Sequence, residues 1–562
     1  MIDENMNDKD EAPVYEVFFS DGYNLEDLPE SNWILIVPLK DSWNDFGHRC
    51  RCHFYIRNKN DSEEYEDATL LGFLPAKENN LNPYHEEIYS AFSFPKTCRQ
   101  DQLPEFFTLL TGMEAYRRLV GKFGIDGAKN ILSALNDLVF LKKSGLKPEI
   151  LKEALKTEVF KLAFMRNNDN FFAFHNAEGI LNGLSEEQVS VVSQLYTLKL
   201  LLPGSDVENR IELNFDLESF LPKRINVLIG PNGLGKSRSL NAIAESLIKA
   251  DEKLTSSDHG RVMVNRLIAL ATPGETLNTF PPENEKSHIQ YRRLAISRAG
   301  QKVSSRGFGE LCVQLARSIE SIAGKSRWEI FKECLNAIKG AENIVLEIES
   351  PNTVQHSEII ISRSKKYVPL KRLSIGGEQA TLELWAAVKD IAGAYRYIEG
   401  KVVPLSSGEQ AFLKFAAQAC LFVENGTMLL LDEPETHLHP NLISDFIEVL
   451  DSLLEKTGSI AILATHSAYF VREVPKSQVL VFKSLLDNAV EVVNPRLNTF
   501  GADIGAISYF VFDDDITSVL VRKLESRFKS RDDLKKYLDS EESKELSADI
   551  IMHLKKKFGE GF

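Results

Sequence analysis

Four short strings carry groups whose types and spacing suit phosphate chemistry. The first, GPNGLGKS, spans Gly230 to Ser237, directly after the apolar run RINVLIG and before the helical run RSLNAIAESLIKA. Gly230, Gly233 and Gly235 let the backbone turn tightly and aim its N–H groups inward, with Asn232 between them. The helix start adds positive potential. Lys236 reaches the outer phosphates of a bound nucleotide, and the Ser237 hydroxyl is a Mg²⁺ ligand. The second string, TMLLLDEPE, ends an apolar run in Asp432, a second metal ligand, and Glu433, the group to polarise an attacking water. The third, THS at 465–467, follows another apolar run and puts His466 at the same edge, near the gamma-phosphate. The fourth, LSSGEQ at 405–410, offers Ser406, Gly408 and a helix start as a further anion-binding surface. One phosphate loop already wraps one side of ATP, so this surface suits ATP held by another subunit. A homodimer with shared ATP sites follows. The catalytic set is therefore Lys236, Glu433 and His466, with ATP and Mg²⁺ as cofactors. Gln290, in HIQYRR, is read as the nucleotide-sensing glutamine. LSIGGEQ at 373–379 resembles the fourth string but lies too far upstream of Asp432 to be given a role.

Buried parallel strands must hold these groups at one edge. RINVLIG, TMLLL and SIAILA (459–464) read as such strands, short and continuously apolar. IELNFDL (211–217) alternates as an antiparallel strand does. RLIALA, IQYRRLAI, ENIVLEIE and SEIIIS read as further strands. Helices are expected near 308–322, 327–338 and 379–391, and over AFLKFAAQACLFVEN. The fold class is thus α/β, a P-loop NTPase head with an added N-terminal α+β module. The module covers 1–205, strand-rich over 1–95 and helical over 96–205. The ATPase covers 206–512, and 513–562 is a helical tail. WILIVPL (33–39) and CRCHFYI (50–56) are the module's clearest strands. LPEFFTLLTGMEAYRRLV, AKNILSALNDLVFLKK and LSEEQVSVVSQLYTLKLL read as helices, the last capped by Ser185. The module carries no catalytic constellation. It is expected to bind a protein or RNA partner and to be removable without loss of the ATP-binding core.

With 562 residues the chain is too long for one ordinary core. Its net charge of -15 excludes a globally basic nucleic-acid binder. Six scattered cysteines make no disulfide scaffold. No run approaches the roughly 18–20 apolar residues of a membrane span. The acidic, polar start is no signal peptide, so a soluble, cytoplasmic protein is expected.

The ordered set GPNGLGKS, LSSGEQ, LLLDEPE and THS resembles the ABC ATPase superfamily. DEPETHLHP resembles its soluble branch, which includes SMC-like repair ATPases. Long coiled coils are absent. The roughly 95 residues after His466 are too few for a Toprim nuclease. WNDFG (43–47) and TFGADIGAISYFVF (499–512) resemble the Septu-type antiphage ATPase, also found with some retrons. That resemblance implies a sensor or scaffold subunit acting with an HNH nuclease, with a reverse transcriptase and its RNA–DNA, or DNA, as further contacts. The alternative is an SMC-like ATPase of DNA repair or DNA-end processing.

Other clusters read as structural. His48, Cys50 and Cys52 share a strand face, too close together for a tetrahedral zinc site. His437 and His439 lack helical ligand spacing. DDD at 513–515 reads as an acidic helix cap. SRSKKYVPLKR (362–372) is either a phosphate-backbone contact or a solvated loop.

Overall fold

The computed structural model describes residues 14–23, 28–39, 48–59, 64–74, 97–188, 192–257, 261–271, 278–283, 287–295, 307–349, 359–389, 393–485, 489–512, 523–528 and 531–557. WNDFG and the 513–515 acidic run lie outside the described residues.

The central sheet has seven strands. In spatial order they are Gln290–Ala295, Arg266–Ala271, Thr427–Asp432, Ile460–Thr465, Ile225–Ile229, Val479–Ser484 and Val490–Val493. The first six run parallel and the last is antiparallel. The strand feeding the phosphate loop is therefore not beside the strand ending in Asp432. The strand ending in Thr465 separates them.

Both faces of the sheet are covered, which is why its four central strands are largely apolar rather than alternating. Val227 and Ile229 face a core built with the helices Phe308–Arg317, Arg327–Leu335, Ser407–Phe422 and Pro440–Thr457. Leu228 faces the opposite core. There helix Lys236–Lys249 packs with a three-stranded antiparallel sheet, Leu254–Ser256, Leu195–Leu200 and Asn209–Asn214. A five-stranded antiparallel sheet runs Ile360–Ser362, Lys365–Pro369, Ile344–Ile348, Ala394–Ile398, Lys401–Pro404. Its last strand leads straight into LSSGEQ.

The N-terminal region has its own core and a six-stranded sheet: Cys98–Arg99, Glu16–Phe19, Trp33–Pro38, Arg51–Arg57, Tyr65–Phe73 and Phe106–Leu110. Two helical expectations fail here. FFTLL is a fully buried strand pairing with Tyr65–Phe73, and the helix begins only at Gly112. LSEEQVSVVSQLYTLKLL is a short turn at Leu184–Glu186 followed by the strand Leu195–Leu200. Tertiary pairing overrides local periodicity in both, because each apolar run has a sheet edge waiting for it. The three-stranded sheet on the nucleotide side thus begins at Leu195, ahead of the 206 expected for the ATPase.

A buried charged network joins the two regions. Arg117 donates to Glu187 at 2.9 and 2.5 Å and to Glu424 at 2.8 Å. Asn425 donates to Glu187 at 2.8 Å, and Arg327 lies 3.6 Å from the other Glu424 oxygen. Burial opposes ionisation of Glu424, but Arg117 and Arg327 overcome it and hold the carboxyl down to about 2. Gly426 needs a left-handed φ of 74°, and a Cβ there would sit 2.4 Å from the Phe172 ring. These contacts tie the N-terminal region to the rest of the chain. That region forms the floor beneath the turn that starts the Asp432 strand.

Candidate nucleotide site

The phosphate loop leaves its strand at Gly230, where φ is 150° and a Cβ would meet the Phe482 carbonyl at 2.4 Å. Gly235 caps the helix in the left-handed region, and a Cβ there would press on Leu202 and Pro203. Asn232 and Gly233 form the exposed tip.

Lys236 is buried and folds back on its own loop, donating to the carbonyls of Gly230 at 2.8 Å and Pro231 at 3.0 Å. Burial lowers its pKa to about 8, against the pull of Glu433, Asp432 and Glu435. Asp432 is held from two sides. Ser237 donates to one oxygen at 2.9 Å and Thr279 to the other at 2.7 Å. Burial pushes the Asp432 carboxyl up. Two hydroxyls and a carboxylate make an all-oxygen donor set, which fits Mg²⁺. Asn241, on the helix after the loop, fixes Thr279 by donating to its carbonyl at 2.7 Å.

Glu433 sits in the left-handed region at φ 49°, unusual for a residue with a side chain. Its N–H is tied to the Ala464 carbonyl at 2.9 Å, and its own carbonyl takes the Thr436 hydroxyl at 2.9 Å. That twist brings its carboxylate to 3.0 Å from His466 Nε2. His466 Nδ1 lies 3.5 Å from Lys236 Nζ. Burial, then the Lys236 charge, lowers the His466 pKa. Glu435, two residues on, turns to the same corner and accepts from Thr465 at 2.5 Å and from the His466 N–H at 2.8 Å. Lys236, Ser237, Asp432, Glu433 and His466 thus lie together at one edge of the sheet.

Ser406 caps the helix Ser407–Phe422 in a reciprocal capping box with Glu409, which Arg396 holds at 3.0 Å. Ser406 is exposed, while Gly408 is buried in the helix start. At the other end, Arg266 donates to the Phe422 carbonyl at 2.8 Å, where the parallel strands begin. The first turn is therefore about 24 Å from the strand-start edge along the helix axis.

Gln290 is not at this site. Registers Arg266↔Gln290 and Arg266↔Thr427 put it level with the first residue of the Asp432 strand. That is roughly 16 Å from the strand ends, at about 3.3 Å per residue. There Gln290 bonds Asp169 at 2.6 Å and Arg266 at 2.6 Å. Its apolar context marked a strand, but nothing marked which end of that strand it occupies. Thr279 touches Asp432 instead, and sequence reasoning missed it because a lone threonine in a loop has no periodic signature.

The remaining clusters lie away from this edge of the sheet or make local contacts. His48, Cys50 and Cys52 are buried against the N-terminal core. His439 caps its helix through Asn441. No metal-ligand cluster occurs among the described residues. In the basic run, Lys365 pairs with Glu347 on the neighbouring strand Ile344–Ile348 at 3.1 Å. No helix among the described residues is long and apolar enough to cross a membrane.

Residues 401–472 match the family described as "AAA domain, putative AbiEii toxin, Type IV TA system". Protein ea59 of Escherichia phage lambda is 26% identical over 497 residues, 85% of this chain and 86% of that one. The arginine transport ATP-binding protein ArtM of Bacillus subtilis is 24% identical over 168 residues, 30% of this chain and 66% of that one. An SMC head bound to the C-winged helix domain of ScpA covers 55% of this chain and 97% of its own, at 12% identity and a TM-score of 0.28. CbiO1 of Clostridium perfringens covers 60% and 96%, at 15% identity and a TM-score of 0.27. Superpositions that loose carry no weight. The strand order shows an α/β fold with a largely parallel central sheet whose strand Ile225–Ile229 feeds the phosphate loop, and an α+β region ahead of it.

Proposed function

We propose that this chain is a nucleotide-gated ATPase whose sites are completed by a second copy, and that it works in an antiphage defence complex with a partner nuclease. The observation that carries the ATPase reading is the convergence of Lys236, Ser237, Asp432, Glu433 and His466 at one sheet edge. Lys236 leaves the loop carbonyls for phosphate oxygens. Ser237 and Asp432 would hold Mg²⁺, which when bound would neutralise charge at the phosphates. Glu433 receives the proton of the attacking water, and His466 fixes the carboxylate that does so. Ser406 and Gly408 present their helix start to the nucleotide of the second copy.

The defence reading draws support from the matched family, whose description names a toxin of a type IV toxin–antitoxin system. The nuclease, of HNH type by the resemblance of the flanking segments, would carry the cleaving activity. Steady-state phosphate release tests the core of the proposal. Wild type turns over ATP, and Glu433→Gln binds it but stalls. Equal turnover of the two would remove Glu433 from its role. Strong stimulation by DNA ends would favour the repair reading over defence.

A further inference from the structure

Glu435 has no part in the chemistry assigned above, yet its side chain is tied into the site. The backbone places it two residues after the left-handed Glu433, in the short turn Pro434–His437. Its Oε1 accepts two hydrogen bonds, from the Thr465 hydroxyl at 2.5 Å and from the His466 N–H at 2.8 Å. The Thr465 oxygen in turn accepts the Ser467 N–H at 2.9 Å. A single carboxylate oxygen therefore staples the turn carrying Glu433 to the turn carrying His466. Its other oxygen, Oε2, is shut off from solvent and meets no donor.

Resting on the nucleotide-site reading above, we infer that Glu435 is the positioning residue that sets Glu433 and His466 in register, and that it works through Oε1 alone. The 3.0 Å contact between the Glu433 carboxylate and His466 Nε2 joins side chains on two different strands. The two strands pair directly as far as Asp432 and Ala464, so it is the turns beyond them, carrying Glu433 and His466, that need a further tie. The backbone tie from Glu433 N–H to Ala464 fixes the root of one turn. Glu435 fixes the tip of the other. A misplacement of about 1 Å between reacting groups costs on the order of a hundredfold in rate, so such a staple has catalytic leverage without touching substrate.

The division between the two oxygens gives the inference a sharp edge. A glutamine at 435 keeps the shape and an oxygen to accept from Thr465 and the His466 N–H, and removes only the charge. Glu435→Gln should therefore retain most of wild-type turnover, whereas Glu435→Ala should lose about tenfold or more in kcat. ATP affinity should stay within about twofold in both, because the phosphate loop is untouched.

The test uses the full chain and two readouts: phosphate release with ATP affinity, and hydrogen exchange of the segment containing Thr465, His466 and Ser467. Glu435→Ala should speed exchange of the His466 amide, and Glu435→Gln should restore its protection. Thr465→Val removes one donor with little change of shape. It should give a smaller loss of kcat, and it serves where Glu435→Ala fails to fold. Wild-type turnover and exchange in Glu435→Ala would overturn the inference. So would a Glu435→Gln variant as slow as Glu435→Ala, since the carboxylate charge would then take part itself. If Lys236→Ala leaves ATP binding unchanged, the nucleotide-site reading fails. The exchange measurement still judges the staple.

Discussion

Arg117 and Glu424 lie 307 positions apart and meet at 2.8 Å, both almost wholly buried. Glu424 stands between the end of the helix that begins at LSSGEQ and the start of the strand that ends at Asp432. The ion pair therefore ties the N-terminal region to the two elements that bracket the site.

Removing one member of such a pair strands the other charge out of water. Arg117→Met should destabilise the protein by about 3–5 kcal/mol, read as a lowered thermal midpoint. The pair is also pH-dependent. The Glu424 pKa falls from 4.5 to about 2 on folding, so its contribution is complete above about 4.5 and drains away as pH falls through 2. Acid unfolding of Arg117→Met should show a smaller component of this kind, since Arg327 still faces Glu424.

Truncation gives a coarser version of the same result. A chain starting at 195 keeps every strand of the central sheet but loses Arg117, Glu187 and the Phe172 wall over Gly426. It should be recovered as aggregate rather than as an ATP-binding domain. Cooperative unfolding of a soluble fragment that binds ATP would contradict this.

Lys236 makes nucleotide binding a protonation event. Its pKa is about 8 in the free protein, and phosphate contact should restore the charged form. At pH 8, binding should take up about half a proton, measurable by calorimetry in buffers of different ionisation enthalpy. Affinity should weaken as pH rises above 8. Lys236→Arg, always charged, should abolish the uptake.

The shared site predicts an ATP-dependent contact between two copies. Asn232 and Ser407 are both exposed. Cysteines at these positions should crosslink between chains when ATP is held by a Glu433→Gln background. Five of the six native cysteines are buried, and Cys98 is partly so, which limits background. Ser406→Arg should block the crosslink while leaving ATP bound, at a stability cost of about 1 kcal/mol for the lost cap. Crosslinks confined to single chains would refute the arrangement.

The nucleotide groups were legible in the sequence because each stands at the end of an apolar run, and parallel strands bring their ends to one edge. Gln290 was misplaced for a related reason: it opens its strand instead of closing it. Glu187 was read as part of a helix start, whereas it is a buried acceptor for Arg117, Asn425 and the Ala323 N–H. Such partners lie in other parts of the chain, and periodicity reports only on neighbours. Thr279 and Glu435 escaped notice because their roles come from what they touch.

The strand order has a bearing on how the protein is made. Ile225–Ile229 takes both its neighbours, Ile460–Thr465 and Val479–Ser484, from the far end of the chain. A ribosome adding about 5–20 residues per second needs roughly 12–46 seconds to cover the intervening 230 or so. Throughout that interval the phosphate-loop strand is out of the exit tunnel with two bare edges and apolar residues on both faces. Messages cut short before codon 460 would release chains in which that strand never finds a partner. Such chains should be cleared by proteases or aggregate, leaving no half-built head to bind ATP or to poison a full-length pair.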